Sequence, residues 1–216
     1  MGLFHSGIPQ TIAVQLAAEA DIRNFVETGT FRGGTALWAS RHFARVVTIE
    51  IYEPLYHKAV ERLAGTTIES VLGDSAAKIP GIVASLDGPA LFWLDGHYSG
   101  ENTGGQESEC PVLAEIAAID ASPHQHIVMI DDARLFTAPA PAPLRVPLWP
   151  SLTETIAALT EKRPDDFIAI HEDVIYRVPP RWKEAFVNLL RVTPSAVRKQ
   201  KTPWWRKMGR LFRDGA

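Results

Sequence analysis

Five short apolar runs in the first 130 residues alternate with segments of helical periodicity, and this alternation limits the folds open to the chain. In each helical segment, apolar residues recur three or four positions apart. Strands that alternate with helices form right-handed crossovers, which produce a mostly parallel sheet with helices on both faces. The predicted strands are residues 24–27, 45–51, 67–72, 90–94 and 127–130, and the predicted helices are residues 8–20, 35–43, 54–63, 75–86 and 112–119.

The alternation ends after residue 130. Residues 137–150 contain five prolines, which disfavour helix and central strand alike, so we expect a long, stiff loop there. Ser151 and Glu154 match a capping box and predict one more helix. Two final apolar runs, 167–171 and 174–178, are joined by only two residues, which predicts an antiparallel hairpin. The predicted fold class is doubly wound α/β, a mostly parallel seven-stranded sheet closed by a C-terminal antiparallel hairpin.

Charge divides the chain into two parts. Residues 1–190 hold 14 Lys and Arg against 24 Asp and Glu, whereas residues 191–216 hold 8 against 1. A chain of 216 residues suits one sizeable domain, so we assign residues 1–190 to that domain and residues 191–216 to a basic tail. Because the acidic domain lacks the basic face that phosphate neutralisation requires, we expect no nucleic-acid partner.

The tail predicts an interaction of its own. Residues 202–213 place two tryptophans and three other apolar side chains at helical spacing, with basic residues between them. Such a helix suits an anionic membrane surface, and the alternatives are packing on a partner subunit of a homo-oligomer or a solvated tail. The chain has one cysteine, Cys110, no apolar run of 18 residues and no secretory signal pattern. We therefore expect a cytoplasmic protein, with peripheral contact at the inner membrane surface through the tail.

Acidic residues end most of the predicted parallel strands, at the edge where open α/β sheets bind ligands. The first strand leads into Glu27-x-Gly29-x-x-x-Gly33, Glu50 ends the second strand 23 residues after Glu27, and Asp74 follows the third. A leading carboxylate would repel a pyrophosphate but suits a cofactor that carries an amine and a sulfonium. A nucleotide-dependent oxidoreductase is the alternative, although the loop lacks the G-x-G-x-x-G spacing of dinucleotide sites.

These residues resemble the class I S-adenosylmethionine-dependent methyltransferases over about residues 20–180. The resemblance implies that Glu50 binds the ribose hydroxyls and that Asp74 and Ser75 lie beside the adenine. Asp74 is also a good candidate for a helix N-cap, and both roles are compatible. The residues implied around the methionine part of the cofactor are Glu27, Gly29, Thr30, Gly33, Gly34 and Thr35.

Three further aspartates end the two central strands. Asp95 follows the fourth strand, and Asp131 and Asp132 follow the fifth, so we expect three carboxylates in one pocket with a divalent cation, Mg²⁺, between them. The arrangement resembles the metal-dependent O-methyltransferases, most closely the macrocin/novobiocin-type sugar branch and more distantly the catechol type. The alternative is that Asp132 caps the following turn and only Asp131 faces the pocket.

Asp95 and His97 are the candidate bases for removing a proton from an acceptor hydroxyl. A lone histidine in a loop can equally be structural. We expect residues 98–109, which are polar and glycine-rich, and residues 136–149, which are proline-rich, to frame a small-molecule or glycan acceptor. The sequence therefore predicts a Mg²⁺-assisted O-methyltransferase, and the non-enzymatic alternative is a methyltransferase-like module that presents the tail to a membrane or partner.

Overall fold

The computed structural model describes residues 7–100 and 103–193. Seven strands form one sheet: β1 Asn24–Thr28, β2 Arg45–Glu50, β3 Glu69–Leu72, β4 Ala90–Leu94, β5 Ile127–Ile130, β6 Phe167–His171 and β7 Val174–Val178. Their order in the sheet is β3-β2-β1-β4-β5-β7-β6. Strands β1 to β5 are mutually parallel, and β7 runs antiparallel to both of its neighbours, β5 and β6. The predicted fold class is confirmed.

Helices cover both faces of the sheet because neighbouring strand residues point to opposite sides. The helices are α1 Gln10–Glu19, α2 Gly34–Ala39, α3 Glu53–Leu63, α4 Ser75–Ala84, α5 Val112–Ile119, α6 Arg134–Thr137, α7 Leu152–Glu161 and α8 Lys183–Val192. Phe25 and Trp93 pack on one face, with α1, α2, α3 and α8. Val26 and Phe92 pack on the other face, with α4, α5 and α7. Each face thus has a continuous apolar core.

The main departures from the sequence-based expectation lie near the helix ends and the C-terminus. The predicted helix over residues 35–43 ends at Ala39, and the predicted stiff loop, residues 137–150, contains a short 3-10 helix, Val146–Leu148. Helix α6, Arg134–Thr137, was not predicted and ends at the first residue of that loop. Helix α8 was not predicted; it buries Phe186 and packs on α1. It extends past residue 190, the predicted end of the domain. Residues 202–213, the predicted amphipathic helix, lie outside the described residues.

Strand register determines which loops meet at the carboxyl edge of the sheet. Thr28 of β1 is paired with Leu94 of β4, and Leu94 is paired with Ile130 of β5. The loops that follow these three strands therefore begin side by side. Gly29 has a φ of +81°, and a Cβ at this position would lie 2.2 Å from the backbone oxygen of Asp95. Glycine is required here because the first and fourth loops touch through their backbones.

In the described part of the chain, no helix is both long enough and apolar enough to cross a membrane.

Candidate active site

A cavity of about 1190 Å³ opens at the carboxyl edge of the sheet, between the loops that follow β1, β2, β3 and β4. Its volume exceeds that of a typical pocket for one small ligand, so a cofactor and an acceptor fit together. Ten of the residues predicted from the sequence line it: Glu27, Gly29, Thr30, Gly34, Thr35, Glu50, Asp74, Ser75, Asp95 and His97. Gly33, Asp131 and Asp132 do not line the cavity.

Gly33 acts on the side of the loop away from the cavity. It is the N-cap residue of α2 with a φ of +71°, and a Cβ at this position would lie 3.2 Å from the side chain of Leu63. This glycine therefore allows the loop after β1 to pack closely on α3. The loop is also attached to β2, because the N–H groups of Gly29 and Thr30 both donate to the carbonyl oxygen of Ile49.

Glu27 is a buried carboxyl group on the cavity wall. The hydroxyl of Thr48 donates to its Oε2 at 2.7 Å, and the hydroxyl of Thr30 lies 2.6 Å from that of Thr48. Burial raises the pKa of Glu27 to about 8 even though the Thr48 hydrogen bond favours the charged form. Within the described residues, no ion pair neutralises this carboxylate. It is therefore suited to bind a cationic group of a ligand.

Glu50 is held by two backbone donors. Its Oε2 accepts the N–H of Phe31 at 2.8 Å, and its Oε1 accepts the N–H of Tyr52 at 2.9 Å. Burial raises the pKa of this carboxyl group, although these two hydrogen bonds oppose the shift. Each oxygen keeps a lone pair for another donor, so the side chain is preorganised to accept hydrogen bonds from a diol.

Asp74 is the N-cap of α4, and its Oδ1 accepts the N–H of Ala76 at 3.0 Å. The capping alternative is thus confirmed. The residue also lines the cavity together with its neighbour Ser75. The two roles that the sequence left open are therefore compatible in the structure.

The carboxyl groups that line this cavity fit S-adenosylmethionine. The cavity wall carries an unneutralised buried carboxyl group, Glu27, and a second carboxyl group, Glu50, that is fixed for hydrogen-bond acceptance. A cofactor with a cationic amine and sulfonium would complement the first, and a ribose diol the second. A pyrophosphate would meet repulsion at Glu27.

His97, which also lines the cavity, belongs to a buried network of charged groups. Its Nε2 lies 3.0 Å from Oδ2 of Asp132 and 3.9 Å from Oδ1 of Asp95. Burial alone would lower the pKa of the imidazole, but the Asp132 hydrogen bond and the charge of Asp95 outweigh burial and raise it. The lone loop histidine is therefore one member of an acid–histidine pair at the cavity.

Arg134 completes this network. It donates to Oδ1 of Asp132 at 2.5 Å and also donates to Asp173, which precedes β7. Burial favours the neutral acid, yet the hydrogen bond from His97 and the charges of His97 and Arg134 hold the pKa of Asp132 well below its usual value. Asp132 has a φ of +57°, a conformation that aspartate tolerates better than most side chains. Its carboxylate is thus ionised and already balanced by protein cations.

The three predicted metal ligands do not form a free ligand set. Asp132 is occupied by His97 and Arg134, and Asp131 accepts the N–H of Asp132 at 2.8 Å while its Oδ2 has no partner. Burial and the charge of Asp95 raise the pKa of Asp131, which favours its neutral form. Among residues 7–100 and 103–193, no group of three or more His, Cys, Asp or Glu side chains is arranged to hold a metal ion. This arrangement does not fit the predicted Mg²⁺ site.

The two loops predicted to frame the acceptor are connected. The loop from Tyr98 to Glu109 is closed at its base, where the N–H of Tyr98 donates to the carbonyl oxygen of Glu109 at 2.7 Å. The carboxylate of Glu109 then binds the proline-rich segment, through the indole N–H of Trp149 at 2.8 Å and through Arg145. The two loops therefore form one unit beside the cavity.

Sequence reasoning missed Arg134, Glu109 and Glu115. Glu115 lies on α5 and is buried, and burial raises its pKa to about 7. It shares the buried face of α5 with Val112, Ile116 and Ile119, so an acid on an otherwise apolar helical stripe was the available signal. For Arg134 and Glu109, the partners are distant in sequence or set by loop geometry, and no local pattern indicates them.

Two solved structures show how far this fold is shared. One is a Staphylococcus aureus protein provisionally described as a caffeoyl-CoA O-methyltransferase, with 13% identity, coverage of 81% of this chain and 86% of that chain, and a TM-score of 0.51. The other is cofactor-bound Rv0187 from MTB, with 17% identity, 81% of each chain covered and a TM-score of 0.51. No protein-family model and no curated protein sequence matches the chain. The comparisons and the sheet order together show that this chain has the Rossmann-like α/β fold of methyltransferases.

Proposed function

We propose that this protein is an S-adenosylmethionine-dependent O-methyltransferase that acts on a hydroxyl of a polar small molecule or glycan. The observation that carries the proposal is that two groups line one cavity. One is the buried carboxyl group of Glu27, which forms no ion pair within the described residues, and the other is the imidazole of His97, supported by Asp132. The first suits a cationic methyl donor, and the second suits removal of a proton.

On this proposal, the loops after β1, β2 and β3 hold the cofactor. Glu27 faces its cationic part, Glu50 accepts from its ribose hydroxyls, and Asp74 with Ser75 borders its adenine. When bound, the cofactor would supply an electrophilic methyl group on a sulfonium, and the carbon–sulfur bond would break as the carbon–oxygen bond forms, leaving a neutral thioether. The backbone contact between Gly29 and Asp95 keeps the cofactor-binding loop beside the proposed catalytic loop, so donor and acceptor are brought together by rigid strand ends.

His97 removes the proton of the acceptor hydroxyl. Asp132 accepts the Nε2–H of His97, which leaves Nδ1 as the ring nitrogen with a free lone pair. As the hydroxyl oxygen forms its new bond to carbon, its proton passes to Nδ1, and the resulting imidazolium is stabilised by the negative charge of Asp132. Asp95, at 3.9 Å from Nε2, adds a second negative charge near the imidazolium.

One side of the cavity supports a polar acceptor. The glycine-rich loop contributes Ser99, Thr103, Gln106, Glu107 and Ser108 to the wall, and these side chains offer many hydrogen-bonding groups. Apolar side chains, including Phe31, Ile51 and Leu55, line the cavity as well, so the choice of a hydroxylated acceptor rests on the glycine-rich side.

The Mg²⁺ predicted from the sequence enters no step of this proposal, because Asp132 would have to release Arg134 to become a metal ligand. Membrane contact through residues 202–213, homo-oligomer formation and the cytoplasmic location stay predictions.

Isothermal calorimetry with S-adenosylmethionine, followed by mass analysis of candidate sugars for a gain of one methyl group, tests the proposal. We expect binding at sub-millimolar cofactor and no comparable binding of NADH. Absence of cofactor binding would contradict the proposal, and NADH binding in its place would favour the oxidoreductase alternative. If the cofactor binds and the tail carries the biological effect while His97→Ala has none, the non-enzymatic module is the better description.

A further inference from the structure

Glu109 is an unusual residue for the end of a surface loop, because its carboxylate is buried and fully engaged. Only 3% of its side chain is exposed. It accepts three hydrogen bonds from the proline-rich segment: from the backbone N–H of Arg145 at 2.8 Å, from Nε of Arg145 at 2.9 Å and from the indole N–H of Trp149 at 2.8 Å. The hydrogen bonds from Arg145 and Trp149 keep its pKa below the usual value although burial opposes this.

Trp149 links this carboxylate to His97. The indole ring is 8% exposed and packs edge-on against the imidazole, with 5.3 Å between the ring centroids and 62° between the planes. The same indole packs against Phe136 at 5.9 Å, so one side of the ring rests on the apolar core. The hydrogen bond from the indole N–H to Glu109 fixes the rotation of the ring between His97 and Phe136.

The His97 ring also contacts Asp132. Its Nε2 is bound to Asp132, but a hydrogen bond at one ring atom does not by itself prevent rotation of the imidazole plane about that atom. The Trp149 ring contacts the imidazole and limits that rotation. The backbone of Glu109 adds a second restraint, because its carbonyl oxygen accepts the N–H of Tyr98, the residue that follows His97.

We propose that Glu109 is a positioning residue that holds Trp149 against His97 and thereby fixes the orientation of the imidazole. The consequence for catalysis rests on the proposed function. The claim that Glu109 holds Trp149 against His97 does not depend on it. Glu109 acts through Trp149 and need not touch the substrate. Glu109 also connects the two loops that frame the acceptor, residues 98–109 and 136–149, to the position of His97.

The test combines one geometric and one kinetic measurement on the full chain. Glu109→Leu keeps most of the side-chain volume but removes both acceptor oxygens, so the indole N–H of Trp149 and both N–H donors of Arg145 lose their acceptor. Asp120→Asn is the matched control, because it weakens another buried acid–arginine pair, with Arg177, away from the cavity. The geometric measurement is the set of nuclear Overhauser contacts between the ring protons of His97 and Trp149.

We expect these contacts to weaken or disappear in Glu109→Leu and to persist in Asp120→Asn. In methyl transfer, we expect kcat of Glu109→Leu to fall about 10- to 100-fold while KM for the cofactor stays within about twofold, since misorientation affects the chemical step. If Glu109→Leu is poorly folded, Trp149→Phe provides a second route. It keeps an aromatic ring and removes the indole N–H, and its kcat should fall by a similar factor.

Unchanged His97–Trp149 contacts in Glu109→Leu, or a loss of kcat no larger than in Asp120→Asn, would overturn the inference. Addition of Glu109→Leu to Trp149→Phe should have little further effect on kcat, and a fully multiplicative loss would also contradict the proposed route through Trp149. If the wild-type protein binds no cofactor and transfers no methyl group, the proposed function fails, and the Overhauser contacts still decide whether Glu109 positions His97.

Discussion

The carboxylate of Asp132 connects two loops of the sheet edge through His97. Its Oδ2 lies 3.0 Å from Nε2 of His97, and its Oδ1 accepts from Arg134 at 2.5 Å. One side chain after β5 thus fixes a histidine that follows β4. Because each carboxylate oxygen contacts a group of the protein and the residue is only 3% exposed, Asp132 supports the imidazole from within the protein.

Replacement of Asp132 by Asn should lower kcat by about 10²- to 10⁴-fold and leave cofactor affinity within about twofold. Asn keeps one acceptor oxygen, which the hydrogen bond from Arg134 holds, so its NH₂ group faces Nε2 of His97. The imidazole then adopts the other tautomer, with the proton on Nδ1. Single-turnover methyl transfer and calorimetry measure the two effects. A kcat close to that of the wild type would contradict the role of Asp132.

The pH dependence of turnover provides a second measurement on the same pair. Because Asp132 and Asp95 raise the pKa of His97, the neutral base should form only above the usual range of histidine, and kcat should rise with pH through that region. In Asp132→Asn, any residual activity should rise at lower pH, since the charge that stabilises the imidazolium is gone. A rise at an unchanged pH would assign the titration to another group.

Metal removal should leave turnover unchanged. Asp132 is already bound to His97 and Arg134, so it would have to release Arg134 to become a ligand of Mg²⁺. Assay after dialysis against a chelator, with Mg²⁺ restored in a parallel sample, measures this. A loss of turnover that Mg²⁺ reverses would support the metal prediction made from the sequence and would require Arg134 to move.

Replacement of Glu27 by Gln should stabilise the cofactor-free protein at alkaline pH. The folded-state pKa of Glu27, about 8, lies above that of an exposed glutamate, so the stability contributed by its neutral form is present at acid pH and is lost as pH rises to about 8. The Tm of Glu27→Gln should therefore exceed that of the wild type by a margin that widens up to this pH and then stays constant. A constant margin across the whole range would contradict the assignment.

The same substitution should weaken binding of S-adenosylmethionine. In the wild type, a cationic ligand favours the ionised carboxylate, so binding near neutral pH should release a proton from Glu27. Calorimetry in two buffers of different ionisation enthalpy measures this proton. The variant should bind less tightly and should lose the part of the proton release that Glu27 supplies.

Replacement of Glu50 by Gln should reduce cofactor affinity by about 10- to 100-fold, because hydrogen bonds to a charged acceptor contribute about 1.5–3 kcal/mol. Glu53→Gln is the matched control, since that side chain is exposed and near in sequence. Calorimetric Kd values for the two variants make the comparison. Equal Kd values for both variants would remove Glu50 from the proposed cofactor site.

Two substitutions of Asp74 separate its capping role from its role at the cavity. Asp74→Ala removes the cap of α4 and should cost about 1 kcal/mol of stability, whereas Asp74→Ser keeps a capping oxygen and should cost much less. Both variants lack the carboxylate and should weaken cofactor binding similarly. If Asp74→Ser binds the cofactor as the wild type does, Asp74 is a cap only.

The sheet could be predicted from the sequence because each apolar run has the length and spacing of its element. The run 90–94 coincides with β4, and the two-residue link after residue 171 required an antiparallel pair. Helix α8 was missed because its sequence, which mixes charged and apolar residues, follows a proline pair and lies next to the basic tail. The contact that explains this helix, the packing of Phe186 beside Tyr176, is visible only in the folded structure.

The site could be predicted in part for a similar reason. Strand ends converge by topology, so the positions of Glu27, Glu50 and Asp74 follow from the order of the strands. Which partner each acid binds depends on side-chain directions and loop geometry, which no spacing rule provides. The approach of Arg134 to Asp132 and of Trp149 to Glu109 therefore could not be foreseen, and the first of these removes the basis of the metal prediction.

The position of β7 between β5 and β6 has a consequence for biosynthesis. A nascent chain that has emerged from the ribosome only as far as residue 173 contains Ile127–Ile130, but the strand that completes its hydrogen bonding, Val174–Val178, is still to come. Until then the apolar β5 edge is open to pairing with other chains. Translation products that terminate before Val174 should therefore aggregate, and Val174–Val178 is the segment that completes the sheet during synthesis.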